Sequence, residues 1–344
     1  MGNEEIRALR DSVRGLLSKR SNVRAAIETP LGYDDKLWST LCEQIGVAAL
    51  AVPEEYGGFG AGLAEVAVVL EELGRTLTPS PMLGSVLCTY ALLATGNPEA
   101  CARLLPSIAD GSRIAALAWA GEQGWSSPGC SAAGTKIHGS ACYVLDGDIA
   151  DVLLVPARTG DEVGLFEVAA SGVSRRHTPG MDLTRRLAVA DFPGVSAVRL
   201  DRGGFPLRRV HDLALVALSA EQVGVAARAL ELTVDYTKQR RQFGRPIGSF
   251  QALKHRMADA FVRVEAARSA SHAALRSESS LDAAVAKVVC SEAAEFVTAE
   301  MIQLHGGIAI TWEHDAHLYF KRAHGSAQLF GSVSETMAGV DWLS

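Results

Sequence analysis

The side chains best suited to chemistry cluster toward the C-terminal end of the chain. Lys238, Arg240, Arg241 and Arg245 form its densest basic cluster, with Gln242 and Phe243 between them and a Gly244-Arg245-Pro246 turn behind. Guanidinium forks match phosphate oxygens bidentately, so the cluster suits a phosphate-bearing ligand. A solvated helix end favoured by the helix dipole is the plain alternative. Further on, Gln303 precedes the pair Gly306-Gly307. Glycines that close a helix permit a left-handed cap and let a ligand approach the backbone, although a simple C-cap explains them equally. Glu335 could accept a proton if it came within hydrogen-bond reach of a substrate, or lie on the surface without a role. His255 and His324 have no Ser or Cys at a recognisable spacing, which leaves them as core or surface histidines.

These residues need helices to position them. Helices return from about 207, with one long pattern rich in Ala, Leu and Val over 210–241, and further helical patterns follow at 251–276 and 281–304. The first 112 residues are also helical in periodicity, with breaks rich in Gly and Pro. One break, VPEEYGGFGAGL (residues 52–63), holds a Gly58-Phe59-Gly60-Ala61-Gly62 run that lacks dinucleotide-loop spacing and a leading strand, so it reads as a turn. Between 113 and 205 the texture changes to short β-prone runs punctuated by Gly, Asp and Pro, as in antiparallel strands of a small barrel or sandwich.

Composition narrows the function classes. With 344 residues, 48% apolar content and 21% charge, the chain suits two or three packed domains. A net charge of −6 and the lack of any basic domain argue against nucleic acid as partner. Six scattered cysteines without a C-x-x-C pair read as reduced thiols in a cytoplasm. Ile6, Leu9, Val13, Leu16 and Leu17 share one helical face, which describes a folded helix rather than a signal peptide. No apolar run approaches the roughly 20 residues that span a bilayer, so no membrane role is expected.

Two C-terminal segments, RRQFGRPIGSFQALKHRMAD (240–259) and QLHGGIAITWEHDAHLYFKRAHG (303–325), resemble the flavin-dependent acyl-CoA dehydrogenases. VPEEYGGFGAGLAEVAVVLEELGR and GMDLTRRLAVADFPGV (180–195) are similar to other parts of that family, so the resemblance covers nearly the whole chain. It implies an α+β multidomain fold: an N-terminal helical domain (1–112), a middle antiparallel β domain (113–205) and a C-terminal four-helix bundle (206–344). It also implies FAD as cofactor. By the resemblance, Arg240 of the R-x-x-F-G turn, with Gln242 and Phe243, would contact the FAD pyrophosphate of a neighbouring subunit. Gln303, Gly306 and Gly307 would contact its adenosine and pyrophosphate. The string Glu313, His314, Asp315, His317 corresponds to a helix start in the family, capped by Thr311 or Asp315, rather than to a metal site.

The departures from the family pattern carry the functional expectation. The glutamate that usually precedes a Gly-Thr or Gly-Ser pair is replaced by Phe330 in Gln328-Leu329-Phe330-Gly331-Ser332. The second known base position, some 26 residues before the arginine, is Ala214, followed by Leu215 where an arginine is common. Tyr143 stands where the family has a Trp beside the flavin ring, and Leu145 where it has a hydroxyl. The resemblance therefore implies a subunit without a base, paired in an α2β2 heterotetramer with a homologous catalytic subunit that oxidises an acyl-CoA. Heteromers of this kind in actinobacteria act on steroid side-chain CoA thioesters. Two alternatives stand beside it: an active homo-oligomer using Glu335 as a displaced base, and a non-catalytic scaffold that has lost flavin.

Overall fold

The computed structural model describes residues 3–277 and 279–339. Helices come first: α1 (Asn3–Arg20), α2 (Val23–Ile27), α3 (Asp35–Thr40), α4 (Leu63–Thr76), α5 (Met82–Ala94) and α6 (Pro98–Ala109). Their starts follow local chemistry. The Asn22 side chain accepts from Ala25 N–H, Asp34 from Lys36 and Leu37 N–H, and Asn97 from Ala100 N–H with Pro98 at the first helical position. On α1, Leu9, Val13 and Leu17 are buried, as their spacing predicts.

Nine strands follow: β1 (Ala115–Leu117), β2 (Ala120–Gly121), β3 (Gly124–Pro128), β4 (Cys130–Ala133), β5 (Lys136–Leu145), β6 (Val152–Thr159), β7 (Glu162–Ala169), β8 (Ser174–His177) and β9 (Leu187–Arg199). β6 pairs with β4 and β7, β4 with β5, β5 with β9, and β9 with β7, so five strands close on themselves. Closure pairs edges that would otherwise be exposed. The sheet is mostly antiparallel as expected, but β6 pairs in parallel with β1 and with β4. Six successive residues of β6, Val152 to Ala157, are buried on both faces, which fits a strand covered on each side. α5 packs on β1 and is buried almost throughout.

Helices then return as α7 (Leu207–Gln239), α8 (Gln251–Arg276), α9 (Ser280–His305), α10 (Ala316–Gln328) and α11 (Val333–Ala338). A two-stranded hairpin, β10 (Arg241–Gln242) and β11 (Arg245–Pro246), lies between α7 and α8. α7 has the length and apolar character of a membrane-crossing helix, yet 83% of its apolar window is buried inside the fold, as in a core helix. The order of a helical N-terminal region, a β domain and a C-terminal helical region matches the expected class.

The chain divides into two compact units: Met1–Val69 with Pro79–Ala214, and Leu70–Thr78 with Leu215–Ser344. In the second, small side chains (Val223, Ala267, Cys290, Ala293) form a buried cluster. One helix crossing there is closer than side chains allow. A Cβ on Gly74 would sit 2.2 Å from the Glu221 carbonyl oxygen, and one on Gly224 2.0 Å from that of Glu71. Charged groups inside this unit are paired. Arg322 donates to Glu221 at 2.9 Å with both side chains buried, and Arg268 to Glu71 at 2.7 Å.

Candidate functional site

The last turn of α7 feeds directly into the basic hairpin. Arg240 N–H donates to the Tyr236 carbonyl at 2.8 Å, and the chain then reverses with Gln242 opposite Arg245. Phe243 (φ 52°) and Gly244 (φ 76°) are the two turn residues, both left-handed as a type I′ hairpin requires. Gly244 adopts this readily; an aromatic residue rarely does. The consequence is a phenyl ring held 91% exposed at the tip. Around it, the Arg241 guanidinium donates to Gly244 O at 3.2 Å, Gln242 Nε2 donates to Arg241 O, and Arg245 lies over the Phe250 ring at 4.0 Å. Arg240 is different. Its backbone carbonyl accepts from Ile247 N–H, but its exposed guanidinium has no hydrogen-bond or ion-pair partner among the described residues.

The other half of the site closes α9. Gln303 is exposed on the last turn and likewise has no side-chain partner among the described residues. Gly306 takes φ 66°, ψ −147°, a region that only glycine enters at low cost, and its N–H returns to Ile302 O. A Cβ on Gly306 or Gly307 would meet nothing within 4 Å. Internal packing therefore does not demand glycine at 307, and the space beside both residues stays open for a group from outside. Tyr236, one turn before Arg240, stacks on His305, one residue before Gly306, and so joins the two halves. An unpaired guanidinium, an exposed amide and bare glycine backbone in one unit can together take the phosphates of a dinucleotide.

The base positions offer nothing that titrates. Phe330 is 2% exposed, with φ 63°, and follows the end of α10. Fully buried Lys287 holds that helix end, donating to Ser326 O at 2.7 Å and Ala327 O at 3.0 Å, where a cation meets the negative end of the helix dipole. Ala214 and Leu215 are buried on α7. Glu335 is the third residue of α11 in a capping box: Ser332 N–H donates to Oε2 at 2.7 Å and Ser332 Oγ at 2.8 Å, while Glu335 N–H returns to Ser332 Oγ. The bonds from the Ser332 backbone and side chain hold its carboxyl below the usual range, which weakens it as a base.

In the β domain, Tyr143 (φ 56°) sits at a bulge where the β5–β9 register shifts between Ala141 and Val144, and it stacks on Trp125 with centroids 6.0 Å apart. Leu145 is buried and brings no polar atom to its position. Asp315 is the N-cap residue of α10, as expected, but its side chain makes no capping bond; His314 Nδ1 accepts from Ala316 N–H at 3.1 Å, and Thr311 Oγ1 accepts from Glu313 N–H. Among the described residues no group of His, Cys, Asp and Glu could hold a metal ion. His255 contacts Gln251, and His324 lies 3.0 Å from Glu295. Sequence reasoning missed Tyr236, His305 and Lys287. Helical spacing from Arg240 points to Tyr236, and a lone Lys among Ala and Val points to a buried Lys287, whereas the ring stack is a tertiary contact with no local signal.

A sequence model of the N-terminal domain of acyl-CoA dehydrogenases matches residues 3–112, and one of their C-terminal domain matches residues 214–338. The chain is 45% identical to acyl-CoA dehydrogenase IpdE2 of Mycolicibacterium smegmatis over 338 residues, covering 97% of each. Among solved structures it is similar to the ChsE4-ChsE5 complex of Mycobacterium tuberculosis, at 30% identity and TM-score 0.91 over 98% of this chain and 96% of that one. It is also similar to the Tcur3481-Tcur3483 steroid ACAD, at 31% identity and TM-score 0.91 over 97% and 96%.

Proposed function

Because the chain belongs to the acyl-CoA dehydrogenase family, we propose that it is the base-less subunit of a heteromeric enzyme and lends half of a flavin site to a catalytic neighbour. FAD, the family's cofactor, supplies the hydride acceptor when an acyl-CoA is oxidised to its 2-enoyl-CoA. The partner supplies the base. The observation that carries this reading is the unpartnered guanidinium of Arg240, presented outward on its hairpin while both base positions are buried hydrocarbon. Arg240 and Gln242 would meet the pyrophosphate, Phe243 would pack against the neighbour, and Gln303 with the bare backbone of Gly306 and Gly307 would take the adenosine side. These groups fit a dinucleotide tail. The ring side does not fit equally well, since Leu145 cannot hydrogen-bond a flavin through its side chain.

Two solved relatives, ChsE4-ChsE5 and Tcur3481-Tcur3483, are complexes of two named proteins, and the second is called a steroid ACAD. They support a two-protein assembly and a steroid substrate here, which we propose to be an α2β2 heterotetramer and a steroid side-chain CoA thioester. The cysteines are free thiols, in keeping with a reducing cytoplasm. The homo-oligomeric alternative loses ground because Glu335 is engaged as a helix cap.

Co-purification with the dehydrogenase subunit that captures this chain tests the proposal. The chain alone is expected to be colourless or weakly yellow, and the complex to hold about one FAD per two chains. Full flavin occupancy with acyl-CoA oxidation by this chain alone would overturn it. A complex that forms without flavin would point to the scaffold instead.

A further inference from the structure

The two halves of the candidate site come from helix ends far apart in sequence, and three rings connect them. Tyr236 stacks on His305 with centroids 4.2 Å apart and planes at 23°, and its hydroxyl donates to the His305 carbonyl at 3.3 Å. His314, which accepts the first N–H of α10, lies 4.5 Å from His305 and 6.3 Å from Tyr236. The ends of α7 and α9 and the start of α10 thus meet at one aromatic stack. Tyr236 O receives Arg240 N–H, and Gly306 follows His305 directly, so each ring is one step from a site residue.

The imidazole is a costly way to fill this position. His305 is 4% exposed. Its Nδ1 lies 2.8 Å from the Met301 carbonyl, which can only accept, so Nδ1 carries the ring proton. Nε2 is then a bare acceptor, buried and without a hydrogen-bond partner. A phenyl or isobutyl group would fill the space without stranding a polar atom. What only the imidazole provides is a ring whose plane is locked by its own helix, through Nδ1–H to Met301 O, and offered flat to Tyr236. Burial, then the neighbouring His314, push its pKa down, in keeping with a neutral stack.

We infer that Tyr236 and His305 are positioning residues whose ring stack clasps the Arg240 hairpin to the glycine-closed end of α9. On the reading given above, from which this follows, the clasp sets the separation at which Arg240 and Gln303 grip one flavin tail.

Amide hydrogen exchange on the full isolated chain tests the clasp without flavin. Tyr236→Leu is expected to raise exchange about tenfold at Ile247 in the hairpin exit and at Gly306 and Thr311 beyond α9, near the upper end of what an aromatic pair contributes. Tyr236→Phe, which keeps the ring, should restore wild-type exchange at both places. His305→Leu should repeat the Tyr236→Leu pattern. Tyr236 is only half-buried, so its series carries the test even if His305→Leu does not fold. Unchanged exchange at either segment in Tyr236→Leu, or an equal rise in Tyr236→Phe, overturns the inference. FAD titration of the complex with the co-purifying catalytic subunit then separates the two claims. Tenfold weaker FAD binding in Tyr236→Leu with recovery in Tyr236→Phe supports both. Raised exchange with unchanged FAD binding supports the clasp and sinks the donated flavin site.

Discussion

At the end of α9 and at the entry to the hairpin after α7, the Gln303 and Arg240 side chains are exposed and have no side-chain partner among the described residues; Phe330 and Ala214 are apolar and enclosed. Arg240 and Gln303 give their backbones to the fold but no side-chain hydrogen bond or ion pair among the described residues. Phe330 and Ala214 are 2% and 0% exposed. On the proposed reading the first pair is a surface offered to another molecule, whereas Phe330 and Ala214 are each ordinary core.

The sharpest way to break this contrast is to put a carboxylate back. Phe330→Glu should cost about 3 kcal/mol or more at neutral pH in urea unfolding, because an ionised carboxyl would be buried. It should not give acyl-CoA oxidation by the chain alone; activity there would show that Phe330 lies in a working site after all. Arg240→Ala comes next. FAD binding by the complex should weaken about tenfold to a hundredfold, the worth of a charge-assisted contact to phosphate, while the stability of the chain stays within about 0.5 kcal/mol. An unchanged flavin content would remove the donated site.

A smaller effect is expected from pH. The folded-state pKa of His305 is lowered, so its contribution is fully present above the ordinary imidazole value and is lost as pH falls through the folded value. Unfolding free energies of wild type and His305→Phe, measured at pH 7 and pH 5, should show the wild type losing more on acidification. The smallest effect belongs to Glu335→Gln. The complex should keep its turnover, and the loss should appear only as roughly 0.5–1 kcal/mol of helix-cap stability. That contribution is present above the ordinary carboxylate range and fades as pH falls below it, since the folded pKa is lowered. A large loss of turnover would restore Glu335 as a base.

Much of this was legible in the residues. Helices α8 and α9 begin and end within a residue of where periodicity places them, because Ser279 caps the second and Gly306 closes it. The turn after α7 is legible in Arg240-Arg241-Gln242-Phe243-Gly244 and the following Arg245-Pro246, although the pairing of its two short strands is not. The parallel partners of β6 do not, since pairing order is set by where distant strands return and leaves no mark in a strand of continuous apolar residues. Nor does the Tyr236–His305 stack, which brings together rings separated by 69 positions. The bond from Ala316 N–H to the His314 ring was hidden too, because the ring accepts from outside the N-cap residue Asp315.

The tip of the hairpin has a consequence for how this chain behaves in solution. A phenyl ring 91% exposed beside three arginines is an adhesive spot, not a solubilising one. Made without its neighbour, the chain is expected to self-associate as concentration rises, and Phe243→Ser should suppress this in light scattering without altering thermal unfolding. On the proposed pairing, the neighbour would cover that ring, so making both chains together would keep it from associating with itself.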